Sequence, residues 1–474
     1  MEQETLTYNH YIIPCETLTP VHIGSGNSLS SIGEYYAGTN RLVFIDQLKI
    51  DSLLSNIEDE DFVSTYVAKI KEQVSASKSD FSIVTFLKEN GIELNQIASG
   101  DEIQIFSGNY DTHKNSQLKL ACKQNKKLYF PGSSIKGAIK TVLFYKYLQN
   151  NPALIENWER IIEDSPKKEK YFPRWKDEIE KDFMLFEKAQ KSDFSFLRIE
   201  DTSSFDETNR GAWEVGRYHL HNNNEEMMQW LCEGVKSHTE FDIRITIRPE
   251  MNAHFLKEFN TLEIHELYSL INNFTCAQLA REKVEISDSN LPVEVKKGIL
   301  EKLSELEPLT LNNDQALLRI GAGKTFFFHT VCSLLNAESF NKLRNLIKIG
   351  KTEISSFPLS RSFTSDYEGL GWILLKKRES AIKILEKEIE PEEELEIVAP
   401  LNNPDNLVAN QTILNAVYMG NKRVTFNINK AVMEVHLALA PYQKHIEFKK
   451  GEILTVYIKE ISKNGRITMV GIKE

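Results

Sequence analysis

At 474 residues, with 41% hydrophobic and 26% charged side chains, the chain is too long for one ordinary core and too balanced for a disordered or membrane-embedded protein. Its formal charge of −11, from 57 basic and 68 acidic residues, excludes a uniformly basic nucleic-acid binder and confines any such role to local patches. The five cysteines, Cys15, Cys122, Cys232, Cys276 and Cys332, form no Cys-x-x-Cys pair, which excludes a zinc ribbon or a disulfide framework.

Two or three domains are therefore expected, with no metal site and no cofactor. No apolar run is long enough to span a bilayer, and the first residues are acidic where a signal peptide would be basic. A cytoplasmic protein without a membrane role is the expectation.

Residues 11–18 read as a first strand, left through Thr19-Pro-Val-His-Ile-Gly-Ser-Gly26. Gly24 and Gly26 permit positive φ and close backbone approach, so the loop suits a ligand, although a lone Gly-x-Gly also suits a plain turn. His22 is compatible with a general acid or base, with stacking on a base, or with a structural role. Residues 41–45 form a second short strand, and residues 51–109 turn helical and charged.

Residues 128–143 combine a strand end, a Pro131-Gly132 turn and a helix start with Ser133 or Ser134 as N-cap. Ile135, Ala138, Ile139, Val142 and Leu143 follow one helix face. Lys136 and Lys140 lie one turn apart beside Gly137, an arrangement that suits an anion such as RNA phosphate and equally a capped helix with solvated lysines. Residues 158–191 read as a solvated helical insertion.

Residues 196–201 form a strand running into a turn, where Asp201 is either a carboxylate with a chemical role or a cap residue. Arg210 and Arg217 flank Trp213 and Tyr218, a mixture that fits RNA stacking and also inward packing of the aromatics. Residues 241–248 alternate apolar and polar side chains as a half-buried strand does. Residues 255–306 are helical again.

Residues 317–335 repeat the strand, glycine turn, lysine and apolar helix of residues 128–143, which suggests two related domains. Gly321-Ala-Gly-Lys-Thr325 imitates the end of a phosphate-binding P-loop, but Leu318 stands where its first glycine belongs, so a backbone-contacting loop through Arg319, Gly321, Gly323 and Lys324 ranks above an ATPase. Arg361 and the strand-like residues 370–374 follow. Acidic and Asn/Pro-rich residues 388–410 read as a linker. The remaining residues are β throughout, with a hairpin turn at Asn464-Gly465, and form either a small barrel of the OB type or a docking module.

Five motifs in order, His22-Ile-Gly-Ser-Gly26, Tyr129-Phe-Pro-Gly-Ser-Ser-Ile-Lys-Gly137, Thr239-Glu-Phe-Asp-Ile-Arg-Ile245, Arg319-Ile-Gly-Ala-Gly323 and Leu370-Gly-Trp372, resemble the RAMP superfamily of CRISPR proteins. Their order and spacing are most similar to the subunit that caps the crRNA 3′ end in type III-A (Csm) effector complexes.

The resemblance implies an α+β fold of tandem ferredoxin-like, RRM-related domains with helical insertions, at 1–250 and 251–390. A linker over 391–412 and a β module over 413–474 complete the expected organisation. It implies crRNA and other backbone subunits as partners, with target RNA and a trimming nuclease as further candidates, and no catalytic residue. The expected RNA-binding set is His22, Gly24, Gly26, Ser133, Ser134, Lys136, Lys140, Arg210, Arg217, Arg319, Gly321, Gly323, Lys324 and Arg361. The competing enzyme reading is a metal-independent endoribonuclease that matures the guide with His22 as acid or base.

Overall fold

The computed structural model describes residues 9–38, 40–57, 60–75, 82–106, 117–164, 196–221, 228–247, 262–346, 348–349, 352–353, 360–377, 401–402, 407–409, 413–420, 422–428, 431–438, 448, 451–462 and 467–472. The chain divides into two compact units, Met1–Leu385 and Glu386–Glu474.

The first unit is built on a central antiparallel sheet in the order Ala316–Arg319, Trp372–Leu375, Asn9–Thr17, Glu240–Ile247, Leu197–Ile199. Alternation along Asn9–Thr17 sends Tyr11, Ile13 and Cys15 into the core, matched by Ile243, Ile245 and Ile247 from the neighbouring strand. Helices Gly132–Asn150 and Ile264–Ser287 pack into the same core, and the predicted stripe Ile135, Ala138, Ile139, Val142 and Leu143 is buried throughout. Burial of each large apolar side chain contributes about 1.5–3 kcal/mol.

A second sheet runs Ser360–Thr364, Arg210–His219, Met228–Val235, Gln117–Ala121, Gly24–Ser30. Its last strand is an edge with its five leading residues exposed, and its pairing with Gln117–Ala121 shifts register between Gly24 and Ser28. A small third sheet, Tyr35–Ala37, Arg41–Ile45 and Ala98–Gln104, packs with Ala212, Leu231 and Leu118 of the second. Helices Gln47–Ser55, Glu60–Ser75, Ile83–Glu89 and Leu94–Ile97 lie in or beside the residues read as helical and charged. The strand Ala98–Gln104 falls in residues read as helical.

Three further expectations are corrected. The division at 250 does not separate sheets, because Trp372–Leu375 pairs directly with Asn9–Thr17, and both halves of the chain complete one sheet. Residues 321–329 form a Gly321–Gly323 turn and a four-residue helix, so the resemblance to residues 128–143 stops at the strand and turn. Pro131 occupies the N-cap position of the helix at Gly132 without a side-chain hydrogen bond, and Ser133 and Ser134 are already inside the helix. The insertion helix is described over Pro152–Asp164, while residues 165–195, nearly all of the linker, and the Asn464-Gly465 turn lie outside the described residues.

The second unit is a closed barrel of Ile413–Gly420, Arg423–Ile428, Ala431–Ala438, Ile453–Ile461 and Ile467–Ile472, with Leu401–Asn402 added beside the second strand. Its own core includes Val424, Phe426, Val456, Ile458 and Val470. Among the described residues, no helix is long and apolar enough to cross a membrane.

Candidate nucleic-acid interface

The glycine motifs, some 300 residues apart in sequence, meet at His22. The backbone N–H of Ala322 donates to the His22 carbonyl at 2.9 Å. Gly321 has φ +69, and a Cβ there would collide with that carbonyl. Gly371 joins the same junction: its N–H donates to Pro20 and its carbonyl accepts from Ile320 at 2.8 Å. Glycine is required because three backbones approach closer than side chains would allow.

Beneath this junction the predicted cations are spent on the fold. His22 is buried, and its Nδ1–H donates to the Glu233 carbonyl at 2.5 Å. Burial pushes its imidazole below the usual value, a shift that the hydrogen bond opposes. Arg210 is buried between Glu233, at 2.7 Å, and Asp101, at 2.8 Å. Burial opposes its charge, but these carboxylates hold the guanidinium more firmly protonated than usual.

Arg319 is fully enclosed, donating to the Leu370 carbonyl at 3.2 Å, with its guanidinium 4.9 Å from the Trp372 ring centre. Burial pushes it down to about 10. Arg361 pairs with buried Glu282 at 2.8 Å, and the Glu282 carboxylate also accepts from the Thr325 hydroxyl. Thus Gly321, Gly323 and Thr325 of the P-loop-like letters are committed to packing, with Gly323 wedged against the Leu370 backbone.

The exposed parts of the prediction lie along a rim. Gly24 and Gly26 sit on the open edge strand, and Gly26, with φ +86, has no atom within 4 Å of the position a Cβ would take. Beside them Lys119 places its ammonium 3.8 Å from the centre of the half-buried Trp230 ring, which meets His22 edge-on at 6.1 Å. Arg217 is exposed and donates to Ser360 at 2.7 Å.

A hydrogen-bonded path connects this edge to the lysine helix. Cys122 N–H donates to Ile23 at 2.8 Å and Tyr129 N–H to Cys122 at 3.4 Å. Phe130 N–H then donates to the Thr202 hydroxyl at 2.9 Å, and Gly132 N–H to the Asp201 carboxylate at 2.7 Å. Asp201 is therefore a cap, supplied from a distant loop to the start of the helix.

On that helix Ser133 is exposed, while Ser134, Lys136 and Lys140 are half-buried. Burial, then the nearby charges of Arg198 and Lys140, lowers the Lys136 ammonium below the usual lysine range. Three cations held near one another raise the positive potential of that spot and with it the affinity for an anion. Lys324 is also lowered by burial, at the edge of the second glycine turn.

Lys119, Trp230 and Arg198 were not singled out in the sequence. The alternation Gln117-Leu-Lys-Leu120 is the signal that exposes Lys119. Trp230 is found only through its strand partners. Among the described residues, no group of three or more His, Cys, Asp or Glu is placed to hold a metal ion.

Fold and rim together define an α+β protein whose glycine turns are gathered behind one exposed, lysine-flanked edge. Residues 14–328 match the RAMP superfamily, and the chain belongs to that family. It is 26% identical over 371 residues to the CRISPR system Cms protein Csm5 of Methanocaldococcus jannaschii, covering 72% of this chain and 81% of that protein. A chain of a cryo-EM structure of a Csm–crRNA–target RNA ternary complex from a type III-A CRISPR–Cas system superposes with a TM-score of 0.59 at 18% identity. The crystal structure of T. onnurineus Csm5 superposes with 0.54 at 17% identity, and each comparison covers 77% of this chain and 100% of the other. These two likenesses show the fold.

Proposed function

We propose that this chain is an RNA-binding subunit of a type III-A CRISPR effector complex, binding the crRNA 3′ region and capping the filament of backbone subunits without cutting RNA. The observation that carries the reading is the exposed Gly24–Ser30 edge with Lys119 over Trp230 beside it, together with the helix on which Lys136 lies near Lys140 and Arg198. Open glycine backbone admits a phosphate chain closely, lysines neutralise it, and a half-exposed indole offers a base a stacking face. The similarity to Csm5 and to a chain of a crRNA complex supports the same reading.

In this account Gly24, Gly26, Ser133, Lys136, Lys140, Arg217 and Lys324 face the guide. His22, Arg210, Arg319, Arg361, Gly321 and Gly323 hold the loops behind it, with Ser134 inside the helix. The enclosed, hydrogen-bonded His22 is poorly placed for the proton transfers of an endoribonuclease. Crosslinking of the complex and sequencing of the RNA bound to this subunit tests the reading: reads ending at a common guide 3′ end are expected, and reads scattered along the guide would refute it.

A further inference from the structure

The second unit carries an unused surface of its own. Numbering its five barrel strands in chain order, the first pairs with the second, the second with the third, the third with the fifth, the fifth with the fourth, and the fourth with the first. The third and fifth are parallel and every other pair is antiparallel. That closed order is the arrangement of an oligonucleotide-binding barrel, whose second and third strands and adjacent hairpin loops form the binding face.

The residues on that face suit the same task. Val424, Phe426 and Ile428 point into the barrel core, so alternation turns Arg423 outward. Arg423 lies directly across from His436 on the third strand, and His436 lies across from Met469 on the fifth. This row is at the barrel end where the first strand turns into the second beside exposed Lys422, and where the fourth turns into the fifth. One step further along the fifth strand, Tyr457 lies across from Gly471 and leans its ring over it. Arg423 contacts Glu434 at 2.8 Å, but both side chains are more than half exposed, and a solvated pair of this kind is weak enough to exchange for a phosphate.

Charge selects the occupant. Residues 413–474 contain ten Lys and Arg against five Asp and Glu, a net of +5, while the remaining residues carry 47 against 63, a net of −16. A basic barrel on an acidic chain is the distribution expected of a module that meets a polyanion. The family match ends at residue 328, before this module begins.

We propose that the barrel is an OB-type module that binds single-stranded RNA across Lys422, Arg423 and His436, with Tyr457 as a stacking ring. The choice of RNA rests on the function proposed above, since the same surface chemistry would accept single-stranded DNA.

The test is fluorescence anisotropy of the full chain with labelled oligouridylate and oligothymidylate of about 15 nucleotides, a length within the reach of one such barrel. A Lys422→Glu/Arg423→Glu variant is compared with Lys422→Arg/Arg423→Lys and, separately, with Lys136→Gln/Lys140→Gln in the first unit. The charge reversal is expected to weaken RNA binding about tenfold and to flatten the salt dependence by about 0.7 per lost phosphate contact, with the charge-retaining variant unchanged.

If the barrel reversal leaves affinity and salt slope intact, the barrel proposal is overturned whatever happens at Lys136. A loss in the barrel variant alone supports the barrel and counts against the rim. Binding to oligothymidylate tenfold tighter than to oligouridylate overturns the assignment to RNA. Ultraviolet crosslinks at Tyr457 or His436 are expected, and crosslinks confined to residues 9–375 would contradict it.

Discussion

The buried junction and the exposed rim of the first unit contain the same kinds of residue and use them oppositely. At the junction, Arg210, Arg319 and Arg361 are enclosed by carboxylates, carbonyls and aromatic rings, and Gly321 and Gly323 let backbones touch. On the rim, Lys119 is exposed, Lys136 is half-buried, and Gly26 has open space around it. The difference teaches that motifs in this fold mark the frame as well as the surface. The frame sets the position of the rim, because His22 joins the second glycine turn on one side and leads into the exposed edge strand on the other.

The comparison is most readily broken at Arg361. Replacing it with alanine leaves the Glu282 carboxylate buried without its partner, and a loss of about 3–5 kcal/mol is expected in denaturant unfolding. A loss below about 1 kcal/mol, typical of exposed pairs, would place Arg361 with the rim residues instead.

Next in size is a paired glycine test. Gly321→Ala and Gly26→Ala both impose a left-handed conformation on alanine, at about 1–3 kcal/mol each. Only Gly321 also meets the His22 carbonyl, so its variant should melt clearly lower, and equal melting temperatures would remove the distinction between junction and rim.

The smallest effect is the pH dependence of His22. Its folded imidazole is held below the ordinary value of about 6.5, so the unfolded chain takes up the proton first. Stability from this group is full above about pH 6.5 and declines as the pH falls towards the folded value. His22→Gln should flatten that part of the stability curve. A slope unchanged by the substitution would show that the imidazole is not the group responsible.

Much of the frame is written locally in the sequence. Alternation in residues 241–247 and the helical spacing from Ile135 to Leu143 correspond to buried faces, because both patterns depend only on neighbouring residues. The sharing of one sheet by residues 9–17 and 372–375 is not local, and no periodicity announces it. The cap on Gly132 is equally remote, coming from Asp201 while two serines stand in the expected place.

The buried arginines are the least legible of these residues. A cation near Trp or Phe reads identically as an RNA platform and as an interior cation–π contact, and only burial distinguishes them. Lys136 was legible because its helix face follows from spacing alone, whereas Lys119 acquires meaning only when the third-dimensional neighbour Trp230 is known.

The central claim is that the rim, and not the junction, contacts RNA. The direct measurement is the RNA retained by the assembled complex when this subunit carries Lys119→Gln, Lys136→Gln and Lys140→Gln, with the melting temperature of the isolated subunit recorded alongside. A loss of roughly tenfold or more in guide affinity at an unchanged melting temperature is predicted. Full retention of the guide at an unchanged melting temperature would contradict the account.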